Sequence, residues 1–264
     1  MRDYYSPMAE FYEMVAARQI ADSGPPLTAA LAGLDPAAGP IVEIGAGTGR
    51  VTEVIAAAVP GGRILAAEPS VLMRAVLTSR IAARPELRPL VTVVDGAAPD
   101  LELPDVIGAA VIFGVAGHLP PEQRRLLWRR IRERLAPKGV IVVELMGAHT
   151  PRIIPPVRQI HDRIGRQTYE WWVSGEPGGP GLMRFTTTWR VHGPDGRLVR
   201  EVGDSYDWYT LDTDLLAREA EMVGRRTSRV GGAGSLEIVV LSSSRTAPTR
   251  RRKNDDDGRD TDVR

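Results

Sequence analysis

The chain has 264 residues, 43% apolar and 25% charged, with 34 Lys+Arg against 33 Asp+Glu; these are ordinary globular values, with no bulk charge to draw it toward nucleic acid or acidic lipid. The absence of cysteine excludes disulfides, cysteine-held zinc, iron–sulfur clusters and thiol nucleophiles, and four scattered histidines argue against a histidine-built metal centre. No stretch approaches the roughly 20 unbroken apolar residues of a membrane-spanning helix, and Met1-Arg2-Asp3-Tyr4-Tyr5 lacks a signal peptide's apolar core, so the expectation is a cytoplasmic protein.

In chain order, apolar residues at helical spacing (Met8, Phe11, Tyr12, Val15, Ala16) predict a helix within residues 4–22. Pro25-Pro26 and Asp35-Pro36 bracket a further short helix. Pro40-Ile41-Val42-Glu43-Ile44 reads as a buried strand running into Gly45-Ala46-Gly47-Thr48-Gly49, and residues 50–58 as the next helix. Strands over 63–68, 91–95, 108–113 and 140–145 alternate with helices over 70–83 and 121–136. This alternation predicts an α/β fold: a doubly wound, mostly parallel, seven-stranded Rossmann-like sheet covered on both faces, with ligands at the strands' carboxyl ends.

After residue 168 the pattern changes. Trp171-Trp172-Val173, Leu182 to His192 and Leu198 to Tyr209 read as antiparallel strands, the last two joined by the turn Gly193-Pro194-Asp195-Gly196. A helix over 212–223 and strands over 225–230 and 236–241, linked through Gly231-Gly232-Ala233-Gly234, return to the main sheet. The predicted organisation is an N-terminal helical lid (1–39), a ligand-binding core (40–167), an antiparallel β-rich insertion (168–210), closing elements (211–244) and a charged tail (245–264). The tail holds seven Arg or Lys and five Asp, the composition of a disordered segment.

Val42 to Arg50 sets a glycine-rich turn between a strand and a helix, where glycine lets the backbone turn sharply and a ligand approach closely. Glu68 ends the next strand, about 20 residues on, the place of an acceptor for both ribose hydroxyls of a nucleoside. The spacing is G-x-G-x-G rather than the G-x-G-x-x-G of a dinucleotide site. Glu43 stands two residues before the first glycine. A carboxylate there repels a pyrophosphate but tolerates an ammonium or a sulfonium, which favours S-adenosylmethionine over a dinucleotide.

These residues resemble motif I of the class I S-adenosylmethionine-dependent methyltransferases. The chain is similar to the subgroup acting on amino sugars and other natural-product intermediates, closely over 1–145 and loosely over 205–243. The resemblance implies that Gly45, Ala46, Gly47 and Gly49 line the methionine and ribose portions of the cofactor, with Glu43 beneath the loop near its amino group. It implies that Glu68, followed by Pro69, holds the ribose. It sets Met73 against adenine, with ordinary helix core as the alternative. It sets Asp95, before Gly96 and Ala97, at the adenine amine, with a plain strand-end turn as the alternative. Phe113 and Gly114 begin a loop beside the transferable methyl. His118 in that loop is a general base, orients the acceptor, or merely caps the helix after Pro120-Pro121. Tyr5 and Tyr12 resemble the family's tyrosine lid, as cofactor or substrate contacts, although Ser6 and Glu13 follow them where relatives carry aspartate. Tyr12 and His149 join His118 as catalytic candidates, Glu144 is a further base candidate, and Arg18 either meets the cofactor carboxylate or is exposed.

Methyl transfer needs an in-line nucleophile about 3 Å from the methyl carbon in a closed site. The sulfonium leaves without metal or covalent catalysis, which suits this composition. The function implied is methylation of N or O on a small-molecule acceptor, a secondary-metabolite intermediate. The alternative is a protein of this kind that binds the cofactor but catalyses another reaction, such as cyclisation. A near-neutral body argues against a nucleic-acid partner. Trp171, Trp172, Trp189, Tyr206, Trp208 and Tyr209 concentrate aromatics in the insertion: a wall for the acceptor, the insertion's own core, or a homodimer face.

Overall fold

The computed structural model describes residues 5–231 and 236–243. Tyr4, most of the Gly231–Gly234 linker and the charged tail lie outside the described residues. A 3-10 turn (Ser6–Met8) leads into α1 (Ala9–Leu31). The main sheet then begins: β1 (Ile41–Ile44), α2 (Arg50–Ala58), β2 (Ile64–Ala67), α3 (Val71–Ala82), β3 (Val91–Val94), β4 (Ile107–Ile112), α4 (Pro121–Arg134) and β5 (Leu135–Met146). A second sheet follows, of β6 (Ile154–Ile164), β7 (Gln167–Gly179), β8 (Leu182–His192) and β9 (Leu198–Tyr209). Then α5 (Thr213–Met222), β10 (Arg225–Arg229) and β11 (Leu236–Ser243) complete the main sheet.

The main sheet has seven strands in the order β10-β11-β5-β4-β1-β2-β3. Its central pairs are parallel, and β11 runs antiparallel to both β5 and β10. The strand order reverses beside β1, so the loops leaving β1 and β4 diverge there and open a crevice at the carboxyl edge. Successive side chains of β1 and β4 point to opposite faces, and both faces are dry: every residue of β1 and β4 is buried. Val42 and Ile44 pack with Leu127, Trp128 and Ile131 of α4 and with Leu216 of α5. Ile41 packs on the other side with Leu27 and Leu31 of α1, Ile55 of α2 and Leu77 of α3.

The short helix expected after Pro25-Pro26 does not exist as a separate element. α1 runs through both prolines to Leu31. Two N–H donors are missing there, but Leu27 and Leu31 are completely buried against the sheet. Burial of two leucines, about 1.5–3 kcal/mol each, offsets much of the cost of two interior prolines, about 3 kcal/mol each. The insertion also begins earlier than residue 168. β6 already pairs antiparallel with β7 from Ile154. The dipeptide Pro155-Pro156 at its start and its largely exposed side chains conceal an edge strand, the one position in a sheet where proline is tolerated.

The second sheet keeps the alternation of a half-buried surface. Met183, Phe185, Thr187, Trp189 and Val191 of β8 turn inward. Arg184 and Arg190 turn outward and pair with Asp207 at 2.9 Å and Glu201 at 2.7 Å on β9. The inward row covers the N-terminal segment: Phe11 stacks on Trp189 with ring centroids 5.0 Å apart, and Met8 lies in the same cluster. Trp208 and Phe185 pack with Ala148, just beyond β5. Trp172 instead lies on the outward face between Arg158 and Arg190.

α4 and α5 are joined by a buried ion pair. Arg124 donates to both carboxylate oxygens of Glu219, at 2.8 and 2.6 Å, and Trp128 Nε1 adds a third bond at 2.8 Å. Both side chains are about 1–2% exposed. Removing one partner leaves the other charge buried alone. Glu219→Ala is therefore expected to destabilise the protein by about 3–5 kcal/mol, read as a lower urea midpoint at unchanged m-value.

Candidate active site

The glycine loop leaves β1 in a conformation that only glycine takes without strain. Gly45 and Gly47 have φ of +76° and +55°. The Gly45 and Ala46 amides both donate to the Ala67 carbonyl, at 2.8 and 3.0 Å, pinning the loop to the end of β2. A Cβ on Gly45 would lie 2.3 Å from Val115 Cγ2, so the loop after β4 rests directly on it. Gly49 closes the loop as the left-handed cap of α2, behind the cavity wall.

Glu68 follows β2 and is 5% exposed. The Gly47 amide donates to its Oε2 and the Ser70 amide to its Oε1, both at 2.8 Å. The two amides fix the direction of the carboxylate at the cavity. The carboxylate borders a cavity of about 160 Å³. Pro69, Met73, Gly96 and Ala97 line one end of it, and Gly45, Gly47, Phe113 and Gly114 the middle. Tyr5, Tyr12 and His118 close it over. Ser70, Val115 and Leu119 also line it, and none of them is singled out by the sequence. Their signal is adjacency: each sits within a few residues of a motif position. Ala46 lines a narrow extension of the same cavity together with Gln19 and Ser23 of α1.

Other expected residues lie elsewhere. The Asp95 carboxylate is 72% exposed and faces Arg74 Nη2 at 3.2 Å, away from the cavity lining. His149 is exposed beyond β5, outside the lining. Arg18 turns to the second sheet, donating to Asp162 at 2.8 Å and to the Gln159 carbonyl at 2.9 Å. Glu43 sits beneath the loop, 2% exposed, with Thr52 Oγ1 donating to its Oε2 at 2.6 Å and no partner for its Oε1.

His118 is the hub of an aromatic enclosure. The Tyr5 hydroxyl lies 2.7 Å from His118 Nε2. Tyr5 meets the edges of both Tyr12 and His118, at 5.6 and 5.7 Å between centroids. From the second sheet, Tyr206 and Trp208 approach the imidazole at 5.4 and 4.8 Å. Trp208 lies so close to Gly117 that a Cβ there would fall 2.0 Å from its ring. Burial lowers the His118 pKa to about 4, so near neutral pH the ring is uncharged and shares a single hydrogen bond with the Tyr5 hydroxyl. Burial, then the neighbouring phenols and Glu68, hold Tyr5 far above the usual tyrosine range, and burial pushes Tyr206 up to about 12. All these phenols therefore stay protonated.

One residue anchors the lid helix to the loop. Glu13, next to Tyr12, takes Arg50 Nε at 2.5 Å and Arg80 Nη2 at 2.6 Å. Arg80 also donates to the Thr48 carbonyl at 2.7 Å. Glu13 thus reaches across to the first residue of α2 and to α3.

Burial raises Glu43 to about 8, with the Glu68 charge adding to it and Thr52 partly offsetting it. A carboxyl whose folded pKa lies above its ordinary 4.5 stabilises the fold fully below that value. The contribution is lost as pH rises toward 8, by up to about 1.4 kcal/mol per pH unit. Glu43→Gln is expected to remove part of the fall in thermal midpoint between pH 5 and pH 8, as followed by calorimetry of the ligand-free protein.

The donor set fits a nucleoside carrying a cationic, amino-acid-like tail: paired acceptors at Glu68, an apolar slot at Met73, and buried acids toward α1. Among the described residues no group of three His, Asp or Glu is gathered to hold a metal ion, and no helix is long and apolar enough to cross a membrane. Residues 42–141 match the family model of a methyltransferase domain. No curated protein sequence matches the chain. Solved structures of the same fold include DesVI of Streptomyces venezuelae, at 19% identity and TM-score 0.72 over 92% of this chain and 100% of that one. The CcbJ methyltransferase of Streptomyces caelestis matches at 20% identity and TM-score 0.67, over 84% and 90%. CalS10 of Micromonospora echinaspora, an amino pentose methyltransferase of calicheamicin biosynthesis solved with S-adenosylmethionine bound, matches at 18% and 0.67, over 84% and 91%. The fold is that of the class I S-adenosylmethionine-dependent methyltransferases.

Proposed function

We propose that this chain, whose residues 42–141 are a methyltransferase domain of the S-adenosylmethionine-dependent class, methylates a nitrogen or oxygen of a small-molecule acceptor, an intermediate of natural-product assembly such as an amino sugar. The observation that carries the reading is that the hydrogen-bonded Tyr5–His118 pair and the Glu68 carboxylate line one cavity. The neighbours named above, one of them acting on an amino pentose, support the acceptor class.

The bound cofactor supplies a methyl carbon on a positively charged sulfur, so the leaving group is already activated. Glu68 and the glycine loop hold the nucleoside. Tyr5, Tyr12, Tyr206 and Trp208 exclude water from the acceptor side, and exclusion of water strengthens every polar contact inside. His118 with a pKa of about 4 is a poor proton sink near neutrality. Its role is to accept the Tyr5 hydrogen bond, which turns the phenol oxygen's lone pairs toward the acceptor's N–H or O–H. Tyr5 thereby aims the nucleophile, and most of the rate comes from positioning. An amine that arrives uncharged attacks through its own lone pair, and the proton of the alkylated ammonium leaves for solvent afterwards; one that arrives protonated must first lose that proton to solvent.

The test is turnover to S-adenosylhomocysteine against a panel of amino sugars and hydroxylated aglycones. Methyl transfer to at least one acceptor is expected; tight cofactor binding with no transfer to any of them points to the non-methylating alternative. Tyr5→Phe and His118→Asn are each expected to lower kcat by about 10- to 100-fold with the affinity for S-adenosylhomocysteine retained. Because His118 is neutral throughout, the wild-type kcat/KM profile is expected to show no inflection near 6.5 from this residue.

A further inference from the structure

The turn that carries His118 is packed at both ends through a glycine. It runs from Val115 into a 3-10 turn over Ala116–His118, and the His118 amide donates to the Val115 carbonyl at 2.9 Å. Val115 rests on Gly45 of the glycine loop. At the other end Gly117 rests on Trp208 of β9: a Cβ there would fall 2.0 Å from the indole Cε2 and 2.4 Å from its Nε1. Gly117 is not among the glycines with positive φ, so it supplies room for the indole rather than an unusual backbone. The Trp208 ring meets the His118 imidazole edge to face, at 78° with 4.8 Å between centroids.

The indole is itself held from behind. Alternation along β9 turns Asp207 outward to Arg184 at 2.9 Å and turns Tyr206 and Trp208 inward, opposite Phe185 and Met183 of β8. Trp208 is 4% exposed and packs with Met183, Phe185 and Ala148. It is absent from the cavity lining, whereas His118 is part of it, so its influence on the reaction passes through His118. The other groups facing the imidazole are the protonated phenols of Tyr5 and Tyr206, and the Glu68 charge bears on Tyr5. Burial is what lowers the His118 pKa, and the indole is one wall of that burial.

We propose that Trp208 is a positioning residue for methyl transfer: seated on Gly117, it holds the His118 imidazole in place and dry, so that His118 keeps the Tyr5 hydroxyl aimed at the acceptor. The proposal rests on the methyl-transfer reading above. Through this one side chain the second sheet sets the geometry of the reaction centre as well as covering the N-terminal segment.

Two variants approach the contact from opposite sides: Trp208→Ala removes the indole, and Gly117→Ala pushes against it. Nuclear magnetic resonance of the whole, ligand-free protein follows the His118 ring through a pH titration, its signal identified among the four histidines by its loss in His118→Asn. In Trp208→Ala the midpoint is expected to rise from about 4 toward the ordinary 6.5, passing about 5 as water reaches the ring. With an acceptor that the wild type methylates, each variant is expected to lower kcat by about tenfold, with the Kd for S-adenosylhomocysteine within about twofold of wild type. The double variant is expected to lose little more than either single one, because both disrupt the same contact. Trp208→Phe keeps an aromatic ring on the turn and is expected to recover most of kcat. An unmoved His118 midpoint in Trp208→Ala overturns the proposal, as does unchanged kcat in both variants or additive losses in the double one. A loss of S-adenosylhomocysteine affinity equal to the loss in kcat also overturns it, by marking a general loosening of the fold. If Trp208→Ala does not fold, the midpoint and kcat of Gly117→Ala decide by the same criteria. A wild-type protein that methylates no acceptor removes the methyl-transfer reading, an outcome distinct from a His118 midpoint that ignores Trp208.

Discussion

The site depends on an absent side chain. A Cβ on Gly45 would sit 2.3 Å from Val115, so the loops leaving β1 and β4 can rest on each other only while that position is glycine. Their contact brings Phe113, Gly114 and His118 over the glycine loop and turns an open crevice at a strand-order reversal into a cavity. The same loop, pinned by two amides to Ala67, presents the Gly47 amide to Glu68. Backbone geometry thus sets both the floor of the site and the direction of its main acceptor.

Desolvation sets the chemistry. Tyr5, Tyr12, Tyr206, His118, Glu43 and Glu144 all have pKa values displaced toward the uncharged form, with burial the leading cause in each. Such a chamber contains hydrogen-bonding groups and aromatic faces but few fixed charges on its acceptor side. That suits a reaction in which the electrophile arrives already cationic. Protonated phenols and a neutral imidazole stand together at the cavity, and the buried acids Glu43 and Glu144 lie outside its lining.

The α/β character of the main sheet was legible because its central strands are mostly apolar and most crossovers between them carry a helical period, a pattern that suits a sheet covered on both faces. Two local features misled. Pro25-Pro26 reads as a helix end, yet the complete burial of Leu27 and Leu31 keeps α1 continuous. Pro155-Pro156 hides β6, because an edge strand has no need of every ladder bond. The glycine loop and Glu68, which meet at the cavity, were legible as a motif with fixed spacing along the chain. The enclosure around His118 was not, since Tyr5, Tyr206 and Trp208 reach it from segments 113, 88 and 90 positions away, and alternation along β9 does not by itself say which face meets the core.

The sequence by itself determined the α/β alternation, the strand–glycine-loop–helix turn and the acidic residue at the end of the next strand, because these follow from residue type and short-range spacing. Only the tertiary structure decided that Asp95 faces Arg74, that His149 is exposed, that burial holds His118 neutral beside Tyr5, and that Gln19 and Glu144 meet across 125 positions of chain. Such contacts depend on how α1 and the second sheet pack against the crevice, and packing is a property of surfaces brought together by folding rather than of neighbours along the chain.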